Sequence, residues 1–167
     1  MSRDKLTPER RSWNMSRIKS RNTKPELTVR SILHRMGFRF RLHGSKLPGK
    51  PDIVLSRHRA VIFVHGCFWH RHEGCKQATT PGNNREFWVK KFESNVTRDQ
   101  INQIRLQELG WRVLVIWGCT VDKGPRAVAE QIESFLGAVR PYRLPIAQEQ
   151  MVAEIRGQKP ETRRESG

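Results

Sequence analysis

Apolar positions early in the chain recur with the period of a helix. Four of them fall at i, i+3, i+4 and i+7, which places them on one helix face: Val29, Ile32, Leu33 and Met36. Thr23 and Glu26 have the T-x-x-E spacing of a capping box, and Gly37 is suited to the C-terminal cap. We therefore predict a helix that begins after Thr23 and ends at Gly37.

The following segments have the patterns of β-strands. Apolar residues alternate with arginine from Phe38 to Leu42, which predicts a half-buried strand. Residues 52–55 and 60–64 are short apolar runs joined by the polar connection SRHR, and together they predict a β-hairpin. Residues 111–117, WRVLVIW, are nearly all apolar, as expected for a strand that is buried on both faces.

Two further helices complete the predicted fold. A helix of about 25 residues should follow TTPGNN (79–84) and end at Gly110, with an apolar face made of Trp88, Phe92, Val96, Ile101, Ile104 and Leu109. Because this helix connects two strands, those strands should be parallel. Residues 125–136 form the last helix. The order α-β-β-β-α-β-α predicts an α/β fold, with a small mixed sheet flanked by helices.

Charge is distributed unevenly along the chain. The net charge is +16, and residues 1–50 hold fourteen basic and only three acidic side chains. Clustered Lys and Arg neutralise phosphates, so a nucleic acid is the predicted partner; a surface selected only for solubility usually mixes both signs. We predict a basic DNA-binding arm at 1–22, a folded domain at 23–139 and, from its composition, a disordered tail at 140–167.

The chain carries no sign of a membrane or secretory segment. No apolar run approaches the roughly 18 residues of a membrane helix, and residues 1–12 lack the apolar stretch of a signal peptide. We expect a cytoplasmic protein without membrane contact. In that reducing compartment the three cysteines should not form stable disulfides.

Cysteine and histidine are concentrated after residue 64. Cys67, His72 and Cys75 are close enough for one loop to present three metal ligands, and Cys119 follows the strand at 111–117. If that strand is parallel to 60–64, Cys119 reaches the same edge of the sheet. Three Cys and one His form a common structural zinc set. The alternative is that the cysteines are ordinary buried thiols and His72 a surface imidazole.

A second set of residues suggests hydrolytic chemistry. Asp52 opens a strand among basic residues, where a carboxylate can hold Mg²⁺ against a substrate phosphate, although an Asp that caps a turn is equally consistent. His65 and His70 follow the strand at 60–64, and a neutral histidine can deprotonate water. Asp99, on the long helix, could orient such a histidine. Taken without further context, both histidines are better explained as ordinary loop residues.

Several ordered motifs resemble the very-short-patch (VSR) mismatch repair endonucleases, over a region from about Asn14 to Cys119: PGKPDIVL, VIFVHGCFWH, EFWVKK, NVTRDQ and LQELGWRVLVIWGC. The resemblance implies a restriction-endonuclease-like catalytic domain, related to the PD-(D/E)XK nucleases, at 23–139. It implies a bacterial, nucleoid-associated enzyme that uses Mg²⁺ to nick one strand 5′ to the thymine of a T·G mismatch left by deamination of 5-methylcytosine. The implied partners are double-stranded DNA with such a mismatch and mismatch-repair proteins, and the enzyme should act as a monomer.

The resemblance also implies catalytic roles for individual residues. Asp52 would be the essential carboxylate that binds Mg²⁺. His70 would be the general base, paired with Asp99, and His65 would lie beside the scissile phosphate. Glu26 matches a glutamate near the family's active site, although its capping box explains it equally well.

The resemblance extends to the metal ligands. Val64 stands where a threonine can occur beside the catalytic ion; its side chain cannot be a ligand, but its backbone carbonyl can still bind Mg²⁺. The family's structural zinc ligands match the four residues named above: Cys67, His72, Cys75 and Cys119.

Aromatic residues match those that the family inserts into DNA. Phe68, Trp69 and Trp88 would enter beside the mismatch from the major groove, and Met15 from the minor-groove side. Unstacking a base step costs a few kcal/mol, and less at a mismatch, while stacking on an aromatic side chain returns about 1–3 kcal/mol per base. For Trp88, packing in the protein core is an equally good explanation.

Two other functions are consistent with parts of the pattern. The first is a zinc-stabilised protein that binds mismatched DNA without cleaving it. The second is a restriction-type enzyme that cuts both strands of fully paired DNA. The resemblance favours the nicking enzyme over both.

Overall fold

A four-stranded mixed sheet forms the centre of the computed structural model, which describes Thr7, Arg10, Trp13, Arg17 and residues 21–137. Its strands, in spatial order, are β1 (Arg41–Leu42), β2 (Ile53–Leu55), β3 (Ala60–His65) and β4 (Arg112–Trp117). β2 pairs antiparallel with β1 and β3, whereas β3 and β4 are parallel. The predicted hairpin and the predicted parallel crossover are therefore confirmed.

Helices cover both faces of the sheet, with a 3₁₀ turn at Ser56–His58: α1 (Lys24–Arg35), α2 (Arg85–Glu108), α3 (Gly118–Asp122) and α4 (Pro125–Leu136). Apolar residues of α1 and α4 pack with Ile53, Ile62 and Ile116 in one core. On the other face Leu106 of α2 packs against β2 and β3. The short helix α3 was not predicted. None of the described helices is long and apolar enough to cross a membrane.

Helix α1 forms as its sequence predicts. The Thr23 side chain accepts from the backbone N–H of Glu26, and the Glu26 side chain accepts from the backbone N–H of Thr23, which completes the capping box. At the other end Gly37 has a φ of 83°, a conformation that glycine adopts without steric cost. These local interactions fix where α1 begins, beside the residues that precede β2.

Two predictions about strands were wrong. Among the described residues β4 is the last strand of the sheet, and only its Ile116 is buried, because its faces are only partly covered. β1 has two residues instead of five, because it pairs only with Val54 and Ile53 of the three-residue β2. Leu42 is consequently 43% exposed.

The long helix is confirmed, but half of its predicted apolar face is wrong. Ile101, Ile104 and Leu109 are 42%, 53% and 53% exposed. The residues of α2 that are buried are Phe92, Asn95 and Leu106. With about 100° of rotation per residue, Ile101 lies on the opposite side of the helix from Phe92.

Candidate active site and metal centre

A pocket of about 570 Å³ opens where the start of α1, the loop before β2, the end of β3 and the middle of α2 meet. Val64 and Trp69 line it together with all five predicted catalytic residues: Glu26, Asp52, His65, His70 and Asp99. Residues from four separate segments of the chain thus converge on one cavity. The structure brings the candidate catalytic set together at the C-terminal end of β3.

Asp52 lies directly before β2, and one of its carboxylate oxygens accepts a hydrogen bond from the backbone N–H of Val64 at 2.8 Å. Burial raises the pKa of Asp52; the Val64 N–H opposes this rise and the nearby charge of Glu26 adds to it. A divalent cation would relieve this unfavourable burial of negative charge. Mg²⁺ commonly takes one or two carboxylates together with water and substrate phosphate, so the site fits such an ion.

Two histidines stack in the pocket. The rings of His65 and His70 lie 3.8 Å apart between centroids and are nearly parallel, at 11°. Burial and the neighbouring His70 lower the pKa of His65 to about 3, so His65 is neutral at physiological pH. A neutral His65 can pack against His70 without electrostatic repulsion.

Asp99 determines how His70 presents its nitrogens. Nδ1 of His70 lies 2.5 Å from Oδ2 of Asp99. Although burial opposes it, the hydrogen bond with His70 lowers the pKa of Asp99, which keeps this carboxylate ionised. An ionised carboxylate can only accept, so Nδ1 carries a hydrogen, and in the neutral form of the ring Nε2 has the free lone pair. His70 is therefore arranged to take up a proton.

The same three side chains have the composition of a metal site. The ligand atoms of His65, His70 and Asp99 lie within 4.8 Å of one another. However, the direct hydrogen bond between His70 and Asp99 uses one ligand atom of each. This contact favours proton transfer over metal binding at these residues.

Glu26 is held by its own helix terminus. Its Oε1 accepts from the Thr23 hydroxyl at 2.8 Å, and its Oε2 accepts from the Asn22 N–H at 3.0 Å and from Arg30 at 2.8 Å. Donors thus occupy both oxygens. This arrangement supports the capping explanation, and a catalytic role for Glu26 stays a prediction.

Two polar residues near the site were not singled out in the sequence. Arg30 is buried and bridges Glu26 to the side-chain oxygen of Asn22, at 2.6 Å from the latter. Its i, i+4 spacing from Glu26 is a signal that could have identified it. Asn95 is also buried and donates to the Trp69 carbonyl at 3.2 Å. No local pattern marks Asn95, because polar residues are common on long helices.

The predicted zinc ligands form a second cluster, in which one ligand atom from each residue lies within 4.8 Å of the others: Cys67, His72, Cys75 and Cys119. Nδ1 of His72 is 3.7 Å from Sγ of Cys67 and 3.2 Å from Sγ of Cys119. Tetrahedral zinc with ordinary bond lengths holds sulfur and nitrogen about 3.6 Å apart. The group could therefore hold a metal ion, and its donor set fits zinc.

The sheet is what brings Cys119 to this cluster. Cys67 follows β3 and Cys119 lies in α3, directly after β4, so the parallel pairing of the two strands places them side by side. The backbone N–H of Cys119 donates to Sγ of Cys67 at 3.4 Å. Burial raises the pKa of the Cys67 thiol to about 11. A bound zinc ion would convert such a thiol to its thiolate.

One tryptophan connects the metal centre to the pocket. The ring of Trp117 stacks on His72, with 4.3 Å between centroids and 8° between planes. Trp117 also meets His65 edge-on at 5.6 Å. Trp117 therefore contacts one residue of each of the two sites.

The predicted DNA-inserting aromatics also come together. Phe68 contacts Trp69 at 5.0 Å and Trp88 at 5.6 Å between centroids. All three are half-buried, and the rings of Phe68 and Trp88 pack against the buried Phe92. Trp88 thus both packs on the core and contributes to the partly exposed cluster. Met15 lies outside the described residues.

Comparison with known proteins identifies relatives of this chain. A family model described as DNA mismatch endonuclease Vsr matches residues 3–77. The type II nicking enzyme V.XorIIP of Xanthomonas oryzae is 51% identical over 119 residues, covering 71% of this chain and 87% of the relative. The DNA mismatch endonuclease Vsr of Escherichia coli is 42% identical over 137 residues, covering 80% and 85%. The type II nicking enzyme V.NmeAIP of Neisseria meningitidis is 43% identical over 116 residues, covering 70% and 82%.

Proposed function

Since the chain belongs to the Vsr family of DNA mismatch endonucleases, we propose that it nicks one strand of duplex DNA 5′ to the thymine of a T·G mismatch, using Mg²⁺. Its general activity is that of a DNA mismatch endonuclease. The observation that carries the finer proposal is the arrangement of His70, Asp99 and Asp52 in one pocket beside a cluster of aromatic side chains. That pocket combines a base, a metal-binding carboxylate and a surface on which bases can stack.

In this mechanism His70 is the general base. Its Nε2 removes a proton from the water that attacks the scissile phosphate, while Nδ1 remains hydrogen-bonded to Asp99. The Asp99 carboxylate stabilises the positive charge that develops on the ring. His65 stays neutral and packs against His70, which limits the ring orientations that His70 can adopt.

Asp52 and the backbone carbonyl of Val64 would hold the Mg²⁺ ion. When bound, the ion polarises the phosphate and neutralises charge that develops on its oxygens. The Val64 N–H holds one Asp52 oxygen in place, and the rigid β2–β3 pairing fixes the distance between the two residues. Because this positioning uses backbone atoms, valine at position 64 is compatible with metal binding.

We further propose that the ion at the cysteine–histidine cluster is zinc and that its role is structural. All four donors come from the protein, which leaves no open position of the kind that catalytic zinc requires. The cluster joins the loop after β3 to helix α3, and this loop carries Phe68, Trp69 and His70. Zinc would therefore order the loop on which the chemistry depends.

We expect the His72→Ala variant to lose its zinc and to melt at a lower temperature. If the loss of zinc costs about 3 kcal/mol, Tm should fall by roughly 6–12 °C for a chain of this size. Elemental mass spectrometry measures the zinc content, and thermal melts with and without a chelator measure the change in Tm. His34→Ala, at an exposed histidine on α1, is the matched control. Wild-type protein that is free of zinc and equally stable would contradict the proposal.

The aromatic cluster explains how a mismatch could be selected. We propose that Phe68, Trp69 and Trp88 insert beside the T·G pair, with Met15 on the opposite groove. Stacking offsets the cost of opening a base step, and that cost is lower at a mismatch than at a Watson–Crick pair. Phe68 and Trp69 directly precede His70. Insertion of their rings would therefore also position the DNA strand next to the general base, His70.

The remaining family expectations are part of the same proposal. The fold would be restriction-endonuclease-like, which is supported by the β2–β3 hairpin with Asp52 at its head and by the parallel β4 beyond it. Residues 23–139 would be the catalytic domain, acting as a monomer, and residues 1–22 a basic arm on the DNA. The mismatch would arise from deaminated 5-methylcytosine, and mismatch-repair proteins would be partners.

A strand-resolved cleavage assay tests this function. Duplexes with one T·G pair in varied flanking sequence, labelled on each strand in turn, are incubated with Mg²⁺ or with EDTA. We expect a single nick, dependent on Mg²⁺, 5′ to the mismatched thymine, and no cut in the fully paired duplex. Binding of the mismatch without any nick would instead indicate a recognition protein, and cuts in both strands a restriction-type enzyme.

A further inference from the structure

Helix α2 is exposed along most of its length. Only three of its 24 residues are buried. Ile101, Ile104 and Leu109, which an isolated sequence would place against a core, face solvent instead. Among the described residues, no ion pair forms within α2 to stabilise this surface. A long helix with so little packing has a surface available for another molecule.

A groove on this helix has the composition of a phosphate-binding surface. We name it the α2 groove, and the residues used below are Lys90, Ser94, Thr97, Arg98, Asn102 and Arg105. Three cations line it against one acid, Glu93. In the described part of the chain neither Lys90 nor Arg105 pairs with a carboxylate. From Lys90 to Arg105 the helix rises by about 22 Å, the length of several phosphates along a DNA strand.

The α2 groove borders the active-site pocket. Arg98 and Asn102 line both cavities. When the scissile phosphate lies in the pocket, the next phosphates of the same DNA strand must pass over the rim of the pocket. At this rim Arg98 donates to the side-chain oxygen of the buried Asn95, at 3.1 Å.

We propose that the α2 groove binds the sugar–phosphate backbone of the substrate duplex next to the scissile phosphate. The proposal rests on the proposed function in taking duplex DNA as the ligand. Lys90, Arg98 and Arg105 neutralise phosphates, and the hydroxyl and amide side chains between them can donate to phosphate oxygens. Contacts of this kind carry no sequence information, so the groove contributes affinity and register, independent of the mismatch.

Arg105→Gln tests the groove at its far end, outside the active-site pocket. Binding to labelled T·G and fully paired duplexes is measured in buffer without Mg²⁺ or chelator, between about 50 and 200 mM salt, so that no cleavage intervenes and the zinc is retained. We expect the slope of log K against log salt to fall by about one unit, and affinity at 100 mM salt to fall about eightfold, equally for both duplexes. Gln preserves helix propensity, so the variant should fold.

Arg126→Gln is the matched control. It removes the same charge from an exposed position of α4, which packs on the other face of the sheet, and it should leave the slope unchanged. Any of three results would overturn the proposal. The slope could be unchanged for both Arg105→Gln and Lys90→Gln, it could fall equally for Arg126→Gln, or the loss of affinity could be confined to the T·G duplex. If the wild type does not nick DNA but Arg105→Gln still lowers the salt slope and affinity as expected, the groove is a DNA-binding surface and only the cleavage mechanism is wrong.

Discussion

Asp52→Asn should abolish nicking of a T·G duplex, by at least about 10³-fold, while DNA binding without Mg²⁺ is retained. Asparagine has nearly the same shape and can still accept the Val64 N–H bond, but it lacks the negative charge that a Mg²⁺ ion requires. A 10³-fold loss corresponds to about 4 kcal/mol of transition-state stabilisation, within what a catalytic metal ion contributes. Single-turnover nicking at saturating DNA, compared with binding by fluorescence anisotropy, measures both quantities.

The control for this variant is Asp122→Asn. Asp122 is exposed on α3, where it accepts a hydrogen bond from Gln77, so the same change of charge there should leave the nicking rate at the wild-type value. If Asp52→Asn lost only affinity and cut normally at saturating DNA, Asp52 would be a binding residue and the metal assignment would be wrong.

His70→Ala should lower the nicking rate by about 10²–10⁴-fold, the usual contribution of a general base. Asp99→Asn should lower it as well, because an amide can donate to Nδ1 and thereby place the ring hydrogen on Nε2, where the base needs a lone pair. If the two residues act as one unit, the double variant should be no slower than His70→Ala alone. Single-turnover rates for the three variants at saturating T·G duplex provide the comparison.

Two checks separate chemistry from folding for these variants. His70 lies in the loop that carries the metal ligands, so zinc content and Tm must match those of the wild type. His34→Ala, on α1 and remote from the pocket, should leave the nicking rate unchanged. A His70→Ala enzyme that still nicks at more than a tenth of the wild-type rate would rule out the base assignment.

Features that depend on neighbouring residues were predicted well. The capping box of Thr23 and Glu26 and the glycine at position 37 locate helix α1, because the bonds that define its ends lie within a few residues of one another. The β2–β3 hairpin follows in the same way from two apolar runs and a short polar connection. In each case the stabilising contacts are local, so the sequence contains them in full.

The metal cluster needed one long-range element. Cys67, His72 and Cys75 are visible as a group, but Cys119 lies 52 positions beyond Cys67 and joins it only because β3 and β4 are parallel neighbours. The helix between the two strands made that pairing predictable. The stacking of Trp117 on His72 could not be predicted, since it depends on side-chain direction at the end of β4.

Burial was predicted least well. An apolar run suggested that β4 is buried on both faces, and apolar spacing suggested that Ile101, Ile104 and Leu109 face inward, yet β4 is the last strand of the sheet in the described part of the chain and the three residues are exposed. An apolar side chain favours burial, but whether it is buried depends on which helices and strands pack over it. On α2 the uncovered surface is the one that we propose lies against DNA.

The sequence by itself predicted the main helices and strands, their order, the parallel crossover and the candidate catalytic and metal-binding residues, because these predictions rest on short-range patterns and recognisable motifs. Only the tertiary structure decided which of those residues meet. It brought Asp52, His65, His70 and Asp99 into one pocket, occupied both oxygens of Glu26 with donors that include the buried Arg30, and left one face of α2 open. The reason is physical: contacts between distant segments depend on how helices and strands pack, and packing is a property of the whole fold.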